Sequence, residues 1–162
     1  MDGSRETLLR QIDKALINLR RDQIDLFQLH RVDPQTPIET SVAALAEAQA
    51  DGRIAHIGLS NVTAEDLDRA LGVAPIASVQ NRFNSAETSG SDLVDKTAEQ
   101  RIAFIPYGPL GANPMQKGAR LDSTDALSWL LLRSPNIVVI PGTTSVAHLE
   151  ENMRVWSAVN SA

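Results

Sequence analysis

Cysteine is absent from this chain of 162 residues, which removes disulfides, thiolate metal sites and cysteine nucleophiles together. Aromatic residues make up 4%, and Tyr107 is the single tyrosine, so chemistry that needs a phenol has one candidate. Lysine occurs only as Lys14, Lys96 and Lys117, and histidine only as His30, His56 and His148. No apolar run is long enough to span a bilayer, and the start, Met1-Asp-Gly-Ser-Arg, lacks signal-peptide character. A net charge of −5 gives no electrostatic footprint for nucleic acid. The expectation is a soluble, cytoplasmic protein with neither nucleic acid nor membrane as partner, and with no metal site.

What is present is a repeated pattern. Five times an apolar run ends in a cluster of polar or special residues. Leu26-Phe-Gln-Leu-His30 ends in histidine, and Ile57-Gly-Leu-Ser60-Asn61 in a hydroxyl and an amide. Val79-Gln80-Asn81 ends in amides, and Ile105-Pro-Tyr107-Gly-Pro-Leu-Gly111 in a tyrosine and a glycine turn. Val139-Ile-Pro-Gly142-Thr-Thr-Ser145 ends in hydroxyls. In a barrel of alternating strands and helices, the C-terminal strand ends gather on one face, and that face carries the chemistry. A complete eight-stranded barrel needs about 250 residues, more than this chain has.

Amphipathic stretches separate the runs. Leu8, Leu9, Ile12, Ala15, Leu16 and Leu19 recur at helical spacing, which predicts a helix from about Arg5 to Arg20 with Ser4 as N-cap. A strand over 24–30 follows, then a loop holding Pro34 and Pro37. Residues 38–50 form the next helix, stopped by Asp51-Gly52 before a strand over 53–59. Thr63 caps a helix over 64–71, with Asp66 completing a capping box. Strand 76–80, helix 90–100, strand 102–106, helix 125–133 capped by Ser123 or Thr124, strand 137–140 and helix 146–159 complete the order. Trp129 and Trp156 fall in helical patterns with Leu130, Leu131 and Val155 and read as packing residues. The fold class is α/β, one domain over residues 1–162 with about five parallel βα units.

The strand-end motifs match a known family. Asp25-Leu-Phe-Gln-Leu-His30-Arg-Val-Asp-Pro34, Gly52-Arg-Ile-Ala-His-Ile-Gly-Leu-Ser60-Asn61 and Val79-Gln80-Asn81-Arg-Phe-Asn84 resemble the aldo-keto reductases. So do Pro106-Tyr107-Gly-Pro-Leu-Gly111 and Ile140-Pro-Gly-Thr with Leu149-Glu-Glu-Asn152. The resemblance covers essentially the whole chain, in family order and at family spacing. It implies a partial TIM (β/α)8 barrel running from the helix before the fourth strand to the helix after the eighth. The first three strands would be missing.

The resemblance also implies roles. His30 maps onto the family's active-site histidine, which orients the substrate carbonyl; the residue-level alternative is a strand-end histidine bonded to a loop. Ser60, Asn61 and Gln80 map onto residues that hold the nicotinamide carboxamide, whose donor and acceptor an amide pair can satisfy. Turn capping before Thr63 is the alternative for the first two. Tyr107 maps onto the aromatic ring that stacks on nicotinamide; a core tyrosine and a proton donor are the alternatives. Gly108, Leu110 and Gly111 would form a turn that lets backbone approach the pyrophosphate. Gly142, Thr143 and Thr144, with Ser145, precede the last helix and would form an anion site for the adenosine phosphate, unless that helix is merely capped. Glu151 and Asn152 map onto residues at the adenine end. His148 stands where the family often has a cation on the 2′-phosphate, which leaves NADP(H) as the implied cofactor and NAD(H) as its rival. Arg31 and Arg82 lie near the same face and lend only weak support to an acidic substrate.

The implied activity is NADPH-dependent reduction of aldehydes and ketones. The family's catalytic aspartate, tyrosine and lysine belong to the missing part, so this chain is expected to be inactive alone and to take a small carbonyl substrate only when completed. The stretch between Gly111 and Ser123 is short for a loop that covers the cofactor. Open edges at the strands over 24–30 and 137–140 imply self-association or a complementing chain. The other readings are a non-catalytic NADP-binding or protein-interaction module, and an inert truncated reductase.

Overall fold

Ser4 starts the first helix, α1 (Arg5–Leu19), by accepting the Thr7 amide on its hydroxyl, in a computed structural model that describes residues 2–111 and 122–160. The remaining elements are β1 (Ile24–Leu29), α2 (Ile38–Ala50), β2 (Ile54–Ser60), α3 (Ala64–Leu71), β3 (Ser78–Gln80), α4 (Ser91–Glu99), β4 (Ala103–Phe104), α5 (Ser123–Arg133) and α6 (Val146–Asn160). The strands form a parallel sheet in the order β1-β2-β3-β4, and helix and strand alternate from α1 to α5. Contacts gather into two compact units, Met1–Val79 and Gln80–Ala162.

In the first unit β1 and β2 pair with Leu26 beside His56, Gln28 beside Gly58 and Leu29 beside Leu59. Leu29, Ile57 and Leu59 are buried, and the core continues through Leu8 and Ile12 of α1 and Ile38, Val42 and Leu45 of α2. Ala44 and Ala48 are buried on α2, and their small side chains let its backbone approach what it covers. Arg69 of α3 grips Glu39 of α2 with two bonds of 2.7 Å, and Arg53 reaches Asp13 at 3.1 Å. The apolar stripe of α1 is buried only in its first half. Leu19 is 59% exposed, contrary to its place in the pattern, and the helix ends just after it at Arg20, which takes a left-handed conformation (φ 54°).

In the second unit Phe83 is buried against Phe104 edge to face, with ring centres 5.8 Å apart, and against Trp129 at 5.4 Å. Leu110, Ala126, Leu127 and Val155 form a further buried cluster. Arg133 of α5 and Asp95 of α4 share two bonds of 2.8 and 3.0 Å.

The structure changes further expectations. The strand over 137–140 shrinks to one parallel bridge between Phe104 and Ile137, with the Val138 amide on the Phe104 carbonyl at 2.8 Å. Its neighbour β4 spans two residues and is soon followed by Pro106, which has no N–H to extend a ladder, so nothing holds 139–140 in pairing. Trp156 is 51% exposed, so of the two tryptophans Trp129 is the one seated against a buried ring. The cap of α5 is Asp122, whose carboxylate takes the amides of Thr124 and Asp125 at 2.9 and 3.1 Å, a stronger acceptor than the hydroxyls of Ser123 and Thr124. Pro114, Gly118 and most of the short loop before Ser123 lie outside the described residues. Among the described residues, no helix is long and apolar enough to cross a membrane.

Candidate functional site

Asn61 organises the strand ends of the first unit. It follows β2 directly and takes a left-handed backbone (φ 56°), which asparagine tolerates better than most residues. Its side-chain amide donates to the His30 carbonyl at 3.0 Å and to the Ser60 hydroxyl at 3.0 Å. One residue therefore ties the end of β1 to the end of β2. The cap of α3 needs neither Ser60 nor Asn61, because Thr63 and Asp66 exchange bonds of 3.1 and 3.0 Å in a complete capping box. His30 is exposed, Asn61 half-buried and Ser60 buried.

Below this level the side chains of Gln28 and Ser78 close over Gly58. A Cβ on Gly58 would meet the Ser78 hydroxyl at 2.5 Å and Gln28 Cγ at 2.9 Å. Gln28 Oε1 and Ser78 Oγ are both buried without a hydrogen-bond partner. His56 lies on this face too, beside Leu26, and is exposed.

Sequence reasoning missed what pins the loop after His30. Asp33 is buried and accepts the Gly3 amide at 2.9 Å, the Gln35 amide at 3.0 Å and the Thr36 hydroxyl at 2.8 Å. The Gln35 and Gly3 backbone donors, then Thr36, hold its carboxyl below the usual aspartate range. Asp2 accepts the hydroxyl of Thr7 at 2.6 Å, and that bond, with those from Ser4, lowers its pKa to about 2. The signal available in the sequence was the Asp-x-x-Thr spacing after a strand, a common loop-closing pattern.

In the second unit the strand-end turn is built by Asn84, also absent from the predicted set. Its amide donates to the Gly108 carbonyl at 2.9 Å, and its own carbonyl takes the Ala86 amide at 3.0 Å. The Tyr107 amide donates to the Asn81 carbonyl at 3.0 Å, next to half-buried Gln80. Gly108 and Gly111 both have positive φ, 65° and 70°, and the Gly111 amide closes on the Gly108 carbonyl at 3.0 Å. Leu110 is buried among apolar side chains, so only its backbone can serve a ligand.

The segment before α6 has the features of an anion site. Ser145 donates its amide to the Thr143 hydroxyl at 3.1 Å and accepts the His148 amide on its own hydroxyl at 3.4 Å. The first turn of α6 carries no acidic residue, and Gly142 has open space where a Cβ would stand. Thr144 and His148 are exposed and Glu151 half-buried. Asn152 is 7% exposed, and its Oδ1 is buried without a partner. A helix start without acid and a glycine with open space suit an anion such as a phosphate, whereas the orphaned Asn152 oxygen is an acceptor and suits a donor, such as the exocyclic amine of a nucleobase. Among the described residues no group of three or more histidines and carboxylates could hold a metal ion.

Comparison with known proteins agrees with this architecture. The profile of the Aldo/keto reductase family matches residues 1–125. The chain is 42% identical to pyridoxine 4-dehydrogenase of Escherichia coli over 162 aligned residues, covering 90% of this chain and 57% of that protein. It is 40% identical to an uncharacterised oxidoreductase of Schizosaccharomyces pombe over 160 residues, covering 90% and 52%. Among solved structures, a thermostable aldo-keto reductase bound to the inhibitor epalrestat is 26% identical and superposes with a TM-score of 0.82, over 95% of this chain and 62% of that one. An aldo-keto reductase of Klebsiella pneumoniae in complex with NADPH shares the fold, with a TM-score of 0.78 over 93% of this chain and 59% of that one, at 24% identity. The chain belongs to the aldo/keto reductase family, a family of oxidoreductases, and its fold is part of that family's α/β barrel. It spans about half the length of the curated relatives it matches.

Proposed function

We propose that the chain is the cofactor-binding portion of an NADPH-dependent aldehyde or ketone reductase, and that it does not reduce carbonyls by itself. The Asn61 clamp supports this reading most directly. It aligns His30, Ser60 and its own amide at adjoining strand ends, where the family resemblance assigns substrate and nicotinamide contacts. The dinucleotide supplies hydride when bound. Ser60, Asn61 and Gln80 hold its carboxamide, the ring of Tyr107 stacks on it, and the backbone at Gly108, Leu110 and Gly111 faces its pyrophosphate. Gly142, Thr143, Thr144 and His148 receive the adenosine phosphate, with Glu151 and Asn152 at the adenine end. His30 orients the substrate carbonyl.

The places of the phenol and of the described amines support the proposed lack of catalysis. The one tyrosine follows the family's stacking position, and of the lysines Lys14 lies in α1 and Lys96 in α4, away from strand ends. A positioned general acid contributes about 10²–10⁴-fold to rate.

Calorimetric titration of the folded chain with NADPH, and with NADH in parallel, tests the reading. Saturable NADPH binding that weakens in Thr143→Ala and Asn152→Ala is the expected result. Absence of binding to a sample whose circular dichroism and cooperative melt show it folded would sink the proposal.

A further inference from the structure

Arg82 is a cation to which the fold gives a seat but no close partner. It lies just past β3 and meets Tyr107 in a parallel bridge, held by the Tyr107 amide on the Asn81 carbonyl at 3.0 Å and the Phe83 amide on the Tyr107 carbonyl at 3.4 Å. Residues paired across strands send their side chains to the same face, so Arg82 and the Tyr107 ring start out as neighbours. The guanidinium then reaches Gly108. A Cβ built on that glycine would lie 3.6 Å from one Arg82 Nη and 3.9 Å from its Cζ, so the charge sits directly beside the turn. Among the described residues Arg82 makes no ion pair and no side-chain hydrogen bond, and it is exposed. One carboxylate feels its charge. The Ser89 hydroxyl and amide, and after them Arg82, hold the exposed Glu87 below the usual glutamate range.

The turn beside the guanidinium is fixed and carries donors. The Gly108 carbonyl is taken twice, by the Asn84 side-chain amide at 2.9 Å and by the Gly111 amide at 3.0 Å. Pro109 has no N–H, and the Gly108 and Leu110 amides donate to no acceptor among the described residues. Two such amides in a glycine turn of positive φ, with a guanidinium alongside, make a positively polarised spot suited to an anion. The planar fork of arginine can meet two phosphate oxygens at once, which a lysine in its place could not do.

We propose that Arg82 grips the pyrophosphate of the dinucleotide at the Gly108–Gly111 turn. This inference rests on the cofactor-binding reading and adds to it a residue to which the family resemblance gives no such role. Glu87 opposes the grip, because its negative charge acts on the same guanidinium. Pyrophosphate is common to NADPH and NADH, so Arg82 strengthens both and does not choose between them.

Calorimetric titration of the parent, Arg82→Gln, Arg82→Lys and Glu87→Gln with NADPH and with NADH tests the assignment. Arg82→Gln is expected to weaken both by the same factor, roughly tenfold or more, in keeping with the loss of a hydrogen bond to a charged group. Arg82→Lys should fall between that variant and the parent, and Glu87→Gln should bind both dinucleotides more tightly at low salt. Inorganic pyrophosphate serves as a second probe. It should shift the amide resonances of Gly108, Leu110 and Gly111 in the parent and leave them in place in Arg82→Gln. The urea midpoint of Arg82→Gln should match the parent, since the side chain is exposed, and this separates lost binding from lost fold. A loss confined to NADPH would overturn the proposal by moving Arg82 to the 2′-phosphate. Dinucleotide binding indifferent to Arg82→Gln would also overturn it, while leaving the cofactor reading intact. A parent whose turn responds to pyrophosphate through Arg82 but which binds neither dinucleotide would do the reverse, and a parent that binds none of the three would overturn both.

Discussion

Gly58 shows how little freedom single residues have on the inner face of the first unit. The obstacle to a side chain there is steric, since the nearest atom to an added Cβ is a hydroxyl 2.5 Å away. Gly58→Ala should cost about 1–3 kcal/mol in urea unfolding, the usual range for overpacking. Adding Ser78→Ala removes that closest atom, and the double variant should recover part of the loss; a double variant as unstable as the single one would place the strain elsewhere. Asn61 permits a cleaner separation of backbone from side chain. Asn61→Ala should lose about 1 kcal/mol or more for its left-handed backbone, and Asn61→Gly very little on that account, while both should weaken NADPH binding in calorimetry. Equal NADPH affinity in all three proteins would deny the amide its proposed role. His30, Ser60 and Asn61 could be picked out of the sequence because strand ends and family motifs mark them. Asp33 and Asn84 could not. Their role is to hold loops and turns by bonds to backbone, and such bonds leave no periodicity to read.

Elements were legible in proportion to their dependence on local chemistry. Helix α2 over Ile38–Ala50 has its stop signal in Asp51-Gly52 and helix α3 over Ala64–Leu71 its start signal in Thr63 and Asp66, and both fall where the pattern puts them. Strands β3 and β4 are shorter than their apolar runs, because a strand lasts only as far as its neighbour offers bonds, and the sequence does not show the neighbour. The capping box of α3 gives a direct test of local chemistry. Thr63→Ala should destabilise by about 1 kcal/mol, measured by urea unfolding, with Thr63→Ser close to the parent. The loop between β1 and α2 gives a pH test. Asp33 titrates lower in the folded protein than in the unfolded chain, where an aspartate titrates near about 3.9. Its contribution is therefore complete above the unfolded value and is lost as pH falls through the lowered one. The stability gap between the parent and Asp33→Asn should be constant from neutral pH down to about pH 5 and narrow below about pH 4. A gap that widened on acidification would reverse the sign of the argument.

For the whole molecule, the proposed function raises the question of which atoms could move a proton to a carbonyl oxygen once the portion of its relatives that the chain does not span is supplied. Tyr107 carries the chain's only phenol, and two uses of it predict different behaviour. A stacking ring needs the aromatic face, whereas an acid needs the hydroxyl and a neighbouring cation to activate it. The Tyr107 backbone is fixed by the Asn81 carbonyl and followed by Gly108, whose notional Cβ would lie 3.6 Å from an Arg82 nitrogen, and the described lysines lie in helices. Stacking is the use proposed for it above. In the chain completed with the portion of its relatives that it lacks, Tyr107→Phe should keep aldehyde reduction within about twofold, against the roughly 10²–10⁴-fold loss that removal of a general acid brings. Tyr107→Ala should raise the NADPH dissociation constant in the same preparation, because the ring itself is gone. The uncompleted chain should show no NADPH oxidation with aldehyde in either background. Turnover by the chain alone that vanished in Tyr107→Phe would make the phenol the acid after all, and the half-length protein an enzyme in its own right.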